Sequence, residues 1–270
     1  MNNFFGSPLF AAADGSSIEN ILGLPILASQ HGADVDRLIF YVHLLMGALF
    51  LGWITYFLYV ILRFRKSKNP KASYTGVTSH ASSWIEGAVV LVEAVLLIGF
   101  AVPLWAKVVG DFPRESESTV IRVTAEQFSW GARYPGADGV FGKQDIKLVS
   151  GANPFGVDPA DPHSKDDITS EPNKIVVPVN KPVIAYITSK DVVHSFKVNP
   201  FRITQDAIPG LSLPTWFKPT REGLFMINCA QLCGNSHFFM KGFVKVVSQE
   251  EYAKFLADKS KAPAGPASFE

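Results

Sequence analysis

Four side chains able to bind a metal fall within twelve residues: CAQLCGNSHFFM places Cys229, Cys233, His237 and Met240 together, and these are the chain's only two cysteines. Thiolates are soft, strongly donating ligands, and two of them four residues apart can reach inward from one tight loop. Imidazole serves copper and zinc alike, but a thioether offers little to zinc, whereas a weak methionine ligand suits copper sites built for electron transfer. Met240 therefore turns the reading toward copper. A further ligand has to come from a distant strand edge, and DVVHSF supplies His194 just after a β-branched run. His194 precedes Cys229 by 35 residues, a separation that only a folded domain closes.

Two other readings stand beside copper at this point. In an oxidising compartment two cysteines often pair, closing a small loop. Cys229, Cys233, His237 and His194 also form a four-ligand N/S set of the kind that structural zinc uses. Neither gives Met240 a task. Covalent haem is not indicated, because C-x-x-C-H is needed and the sequence offers C-x-x-x-C.

Taken together, Cys229, Gln231, Cys233, His237 and Met240, with upstream His194, resemble the binuclear CuA motif of subunit II of the haem-copper cytochrome c oxidases. The resemblance runs from the apolar hairpin described below to about Ser248 and includes HSFKVNPFRITQDAIPG and WFKPTREGLF. It implies that both thiolates bridge two coppers, that His194, His237 and Met240 complete the side-chain ligation, and that Gln231 contributes its backbone carbonyl. The family usually carries glutamate there, with a carboxylate reaching a magnesium ion at the boundary with subunit I. The amide of Gln231 is neutral and a poor ligand for a hard dication, so magnesium binding is not expected.

The elements that must position this motif begin in a membrane. Leu38 to Leu62 is an almost unbroken apolar run, preceded by no basic n-region and no convincing cleavage site. At roughly 1.5 Å per residue it is long enough to span a bilayer with some tilt. A second apolar run from Trp84 to Trp105 has tryptophans where two interfaces would lie, giving a two-helix hairpin. The intervening loop carries Arg63, Arg65, Lys66, Lys68 and Lys71 and no acid, which puts it in the cytoplasm and the copper domain on the periplasmic or equivalent outer face of the inner membrane. His43 reads as an interfacial histidine. Glu86 and Glu93 share one face of the second span. The resemblance implies that Glu86 lies at the mouth of a proton-uptake path into subunit I; Glu93 has no assigned role.

From Val120 the pattern changes to short β-rich runs, VIRVTAEQF, IVVPVNKPVIAYITS, GLFMINCA and GFVKVVS, which predict an antiparallel β-sandwich with the ligand loop joining two late strands, as in cupredoxins. Gly136 to Pro172, rich in Gly, Pro and Asp, reads as an ordered surface insertion whose aspartates either are solvated, the expected reading, or hold a cation. Ser248 and Glu251 form a capping-box pattern ahead of Tyr252, Phe255 and Leu256, so a short helix should follow the last strand. The expected fold is a membrane-anchored all-β protein: an outer segment (1–36), the hairpin (37–107), a cupredoxin-like domain with its C-terminal helix (108–260) and a flexible tail (261–270).

The family presents a tryptophan to the incoming donor within a run like Gln-Trp-Tyr-Trp. Gln127, Phe128, Ser129 and Trp130 match it, so electron entry is expected at Phe128 or Trp130, with phenylalanine lacking the indole N–H and offering a weaker π-face. The resemblance implies a respiratory oxidase subunit that takes electrons from a c-type cytochrome and passes them to haem in subunit I, where oxygen is reduced to water with proton translocation. Implied partners are subunit I, other oxidase subunits, the c-type donor and the lipid bilayer. A quinol oxidase subunit II would lack the copper ligands, and a membrane-anchored copper-delivery protein would release copper readily. The formal net charge of +1 says little about partners, and no aromatic-basic strip suited to nucleic acid is present.

Overall fold

The structure, a computed structural model, describes residues 18–71, 74–76 and 78–260; the tail from Lys261 and residues 1–17 of the outer segment lie outside the described residues. The chain divides into two compact units, residues 34–110 and residues 18–33 with 111–260.

The short α1 (Ile18–Leu22) belongs to the second unit, and α2 (Gly32–Arg63) forms the first span of the other. Its start lies upstream of the apolar run, where Asp34 in the first turn complements the positive end of the helix. Asn69 closes the other end, its side-chain amide donating to the Arg63 carbonyl and its backbone N–H to that of Arg65. The basic residues of the following turn, Arg63, Arg65, Lys66, Lys68 and Lys71, are all exposed.

The second span is α3 (Ala81–Leu96), a π-helical turn (Leu97–Ala101) and α4 (Val102–Gly110). Pro103 accounts for the interruption: it has no N–H for the Gly99 carbonyl and its ring crowds that carbonyl, so the ladder widens and the Val102 N–H bonds the Leu97 carbonyl instead. Both spans are long and apolar enough to cross a membrane, and neither buries its apolar window within the chain. Two helices apolar all round and unpacked by protein need a second apolar phase, which supports a membrane anchor.

The second unit is a sandwich of two five-stranded sheets. One contains, in spatial order, β3 (Ile168–Thr169), β2 (Ser129–Tyr134), β1 (Thr119–Glu126), β5 (Val183–Ser189) and β8 (Leu213–Phe217). The other contains β4 (Lys174–Pro178), β10 (Lys241–Val247), β9 (Gly223–Cys229), β6 (His194–Val198) and β7 (Ile203–Ala207). Most pairs are antiparallel, but β1 runs parallel to β5, and β4 to β10. Ile121, Val123, Trp130, Phe196, Phe217, Ile227 and Val244 are among the buried residues filling the core.

The predicted helix is α5 (Gln249–Ser260), which lays Tyr252, Phe255 and Leu256 against the core. Ser248 Oγ accepts from the Glu251 N–H at 3.1 Å, whereas the Glu251 carboxylate turns to Lys245 at 2.8 Å, so half of the capping box forms.

The 136–172 insertion is ordered, but its aspartates are not simply solvated. Asp167 is buried against the fully buried Arg133 at 3.1 Å and accepts from the Gly142 N–H, while Arg133 donates to the Gly142 carbonyl. Burial pulls Arg133 down to about 10 and pushes Asp167 up, and each partner's charge opposes the other's shift. Asp161 caps a single 3₁₀ turn (Pro162–Ser164), and Asp138 pairs with His163 at 2.6 Å. These carboxylates accept from backbone N–H groups and pair with Arg133 and His163.

Candidate metal centre

Three adjacent strands, β10, β9 and β6, end at the same edge of their sheet and bring the distant ligands together. Cys229, the last residue of β9, pairs with Phe196 of β6, two positions from His194 at that strand's start. Met240 immediately precedes β10, and its carbonyl accepts the Cys229 N–H at 3.3 Å. The Ala230 N–H bonds the Ser195 carbonyl, so the loop leaves the sheet directly beside His194. Residues 230–239 form that loop, and a 3₁₀ turn (His237–Phe239) brings it back.

Within this frame the two sulfurs lie 3.8 Å apart, as free thiols and not as a disulfide. His194 Nδ1 is 3.9 Å from the Cys229 sulfur, and His237 Nδ1 is 3.5 Å from the Cys233 sulfur, so each cysteine has one imidazole. Met240 places its sulfur 3.7 Å from that of Cys233, and the Gln231 carbonyl lies 3.1 Å from Cys229 Sγ. Among the described residues, His194, Cys229 and Cys233 are the one group of three His, Cys or acidic side chains whose ligand atoms crowd within 4.8 Å. All six residues anticipated from the motif are therefore gathered at one place.

The surroundings tune these donors. His194 is fully buried, and its Nε2 faces Asp191 Oδ1 at 2.8 Å, which leaves Nδ1 free toward Cys229. Asp191 itself is ionised more readily than usual: burial opposes this, but the bonds from His194 and from the Gln127 and Val192 N–H groups outweigh it. Burial pushes the Cys233 thiol up to about 11, helped by its bond to Cys229. A deeply buried thiol, two imidazoles presenting Nδ1 and a buried thioether, with no carboxylate among the donors, fit a soft or borderline metal, and the cluster fits a copper site.

Two aromatic expectations separate here. Trp130 is fully buried, its ring edge-to-face with His194 at 6.2 Å and Phe196 at 5.5 Å, so it offers no surface to a donor and the expectation narrows to Phe128. Phe128 is half-buried on the β1–β2 turn and covers Gly234. Gly234 has φ +139°, and a Cβ there would sit 2.8 Å from Gln127 Nε2 and 3.1 Å from the Phe128 ring. Only glycine suits both the backbone and the gap. Glu86 and Glu93 lie exposed on α3, in the other unit. His43 bonds its own helix at the Ile39 carbonyl, 2.8 Å away. Nothing in the sequence marks Asp191 except its position three residues before His194.

The family profile described as cytochrome C oxidase subunit II, periplasmic domain, matches residues 120–247. The alternative cytochrome c oxidase subunit 2 of Bradyrhizobium diazoefficiens is 33% identical over 211 residues, covering 78% of this chain and 74% of that protein. The chain belongs to the cytochrome c oxidase subunit II family. Cytochrome c oxidase subunit 2 of Cereibacter sphaeroides is 31% identical over 262 residues, or 91% of this chain and 85% of that one. A crystal structure of the periplasmic domain of subunit II of cytochrome oxidase from Bradyrhizobium japonicum aligns at 32% identity, covering 55% of this chain and 96% of that one, with a TM-score of 0.41. Membership makes the chain part of an oxidoreductase, and the cupredoxin-like sandwich behind an apolar hairpin is the architecture anticipated from its sequence.

Proposed function

We propose that this subunit is the electron-entry point of a respiratory cytochrome c oxidase and holds a binuclear CuA centre. The observation that carries this reading is the pairing of one imidazole Nδ1 with each of two sulfurs only 3.8 Å apart, with a thioether on one side and a carbonyl on the other. His194, Cys229, Cys233, His237 and Met240 would hold the metals with their side chains and Gln231 with its carbonyl. When bound, the copper pair supplies a one-electron relay between a c-type haem at the outer face and haem in subunit I.

The chain's residues prepare for that relay in separate ways. Cys229 and Cys233 give up their protons on loading. Asp191 would hold the proton of His194 on Nε2, leaving Nδ1 as the atom that would meet a metal. Met240 and Cys233, 2% and 5% exposed, keep water from one side of the site. Phe128 is the surface aromatic next to the ligand loop, and we assign it the contact with the c-type donor. Leu232, Phe238 and Phe239 of the loop are 79%, 74% and 65% exposed, an apolar face that supports its being covered by subunit I. The Gln231 side chain, a neutral amide, holds no magnesium on this reading.

Residues 37–107 form the membrane hairpin and 108–260 the copper domain, with the basic turn after α2 on the cytoplasmic side and the copper domain outside. Glu86, on the second span near that turn, would admit protons toward subunit I. The test uses the full chain in detergent, loaded with copper while its thiols are reduced and then freed of reductant and oxidised with ferricyanide by one electron per chain, and, for turnover, the assembled oxidase. Two coppers per chain sharing one unpaired electron in the paramagnetic resonance spectrum are expected, and Cys229→Ser or Cys233→Ser should abolish oxidation of the c-type donor with membrane insertion intact. A single copper, a preference for zinc or normal turnover in either serine variant would sink the proposal.

A further inference from the structure

Gln127 sits on the exposed turn between β1 and β2, in the sheet opposite the ligands, yet both of its hydrogen-bonding arms reach the supports of the centre. Its backbone N–H donates to Asp191 Oδ2 at 2.7 Å, and the other oxygen of that carboxylate faces His194 Nε2. Its side-chain amide donates to the Cys233 carbonyl at 2.5 Å. A continuous chain of hydrogen bonds thus runs from His194 through Asp191 and Gln127 to Cys233.

These two ligands need such a link. His194 is held by its strand, but Cys233 lies in the loop beyond the last β6–β9 pairing, Phe196 with Cys229. The ladder alone does not fix the distance between them. Gly234 makes the contact possible, since any side chain at that position would displace the Gln127 amide and the Phe128 ring together.

We infer that Gln127 is a positioning residue: it fixes the loop-borne Cys233 relative to the strand-borne His194, and by the same bonds seats Phe128 against the loop. The inference rests on the copper reading above. It assigns to a residue that ligates nothing a measurable effect on the metal, beyond any contribution to folding.

The test compares copper-loaded full-length wild type with Gln127→Met, which keeps the length and removes the donor, and Gln127→Glu, which keeps the shape and sets a carboxylate against the Cys233 carbonyl. Both variants should still take up two coppers, with altered copper hyperfine splitting, and should lose copper to a competing chelator about tenfold faster, the low end of what outer partners of metal ligands contribute. Asp191→Asn cuts the other arm, because its amide cannot accept from both His194 and the Gln127 N–H, and should change the hyperfine splitting in the same sense. Should Gln127→Met misfold, Gln127→Asn, whose amide is one methylene too short to reach Cys233, carries the same expectation. Hyperfine splitting and release rates equal to wild type in the Gln127 variants would overturn the inference while leaving the copper reading intact. Failure of wild type to bind two coppers would instead remove that reading.

Discussion

Copper loading should depend steeply on pH, and the dependence follows from the burial of one thiol. Cys233 is raised to about 11 by burial, with the neighbouring Cys229 adding to the shift. At pH 7 the thiol is therefore almost wholly protonated, and the thiolate that a metal requires is a small minority. Displacing the proton is therefore a cost that copper binding at pH 7 has to meet. Each unit by which the pH rises lowers this cost, so the logarithm of the apparent affinity should climb with a slope of at least one between pH 6 and 8. That is about a hundredfold or more over the range. The same shift acts on the metal-free protein: stability is fully present below the ordinary thiol value of 9.0 and declines as the pH rises toward about 11, because the folded state holds its proton longer. Competition between the reduced full chain and a chromophoric chelator of known protonation behaviour measures the slope. An indicator dye in weak buffer counts the protons, at least one per chain. An affinity flat between pH 6 and 8 would refute the reasoning, since it would mean that Cys233 either is already a thiolate or does not bind the metal.

Other expectations follow from single side chains. Met240→Leu preserves apolar volume at a buried position, so stability should change by less than about 1.5 kcal/mol while the copper reduction potential and spectrum shift, both measurable on the loaded protein. Asp167→Ala strands Arg133 in the interior and should cost about 3 to 5 kcal/mol in denaturant unfolding; converting both to apolar residues should recover much of it. Phe128→Ala should lower kcat/KM for the c-type donor about tenfold with copper content unchanged, roughly the loss of one aromatic contact. Ser248→Ala removes the cap of α5 and should cost about 1 kcal/mol, seen as faster hydrogen exchange in that helix.

What could be read in the sequence was what is local and chemically rare. Five of the six donor positions lie within the twelve residues from Cys229 to Met240, and the thioether among them distinguishes copper from zinc. The hairpin declared itself because a continuous apolar run has few uses outside a membrane. Strand positions were legible from β-branched runs, but not their partners: β1 meets β5 across the whole insertion, and no local pattern marks that pairing as parallel. Trp130 and Phe128 look alike in a strand sequence, and only the fold turns one inward over His194 and leaves the other at the surface. The π-helical turn in the second span had a visible cause in Pro103, but an interruption rather than a widened turn would have had the same signature.

The distribution of the donors over the fold indicates where the rigidity of the centre originates. His194, Cys229 and Met240 abut three neighbouring strands, whose ladder bonds fix them with no further help. Cys233 and His237 hang from the loop, and nothing in that sheet's pairing holds them. On the proposed electron-transfer role the ligands should hardly move, so the bonds that matter most would be the ones closing the gap between these two groups. They come from the opposite sheet, through Gln127 to Cys233 and through Asp191 to His194. The β1–β2 turn therefore belongs to the metal site although it contributes no ligand, and its aromatic residue reaches the surface from the same turn. Substitutions there should move the copper spectrum and donor kinetics together, whereas substitutions at the far end of the sandwich, of equal cost in stability, should move neither.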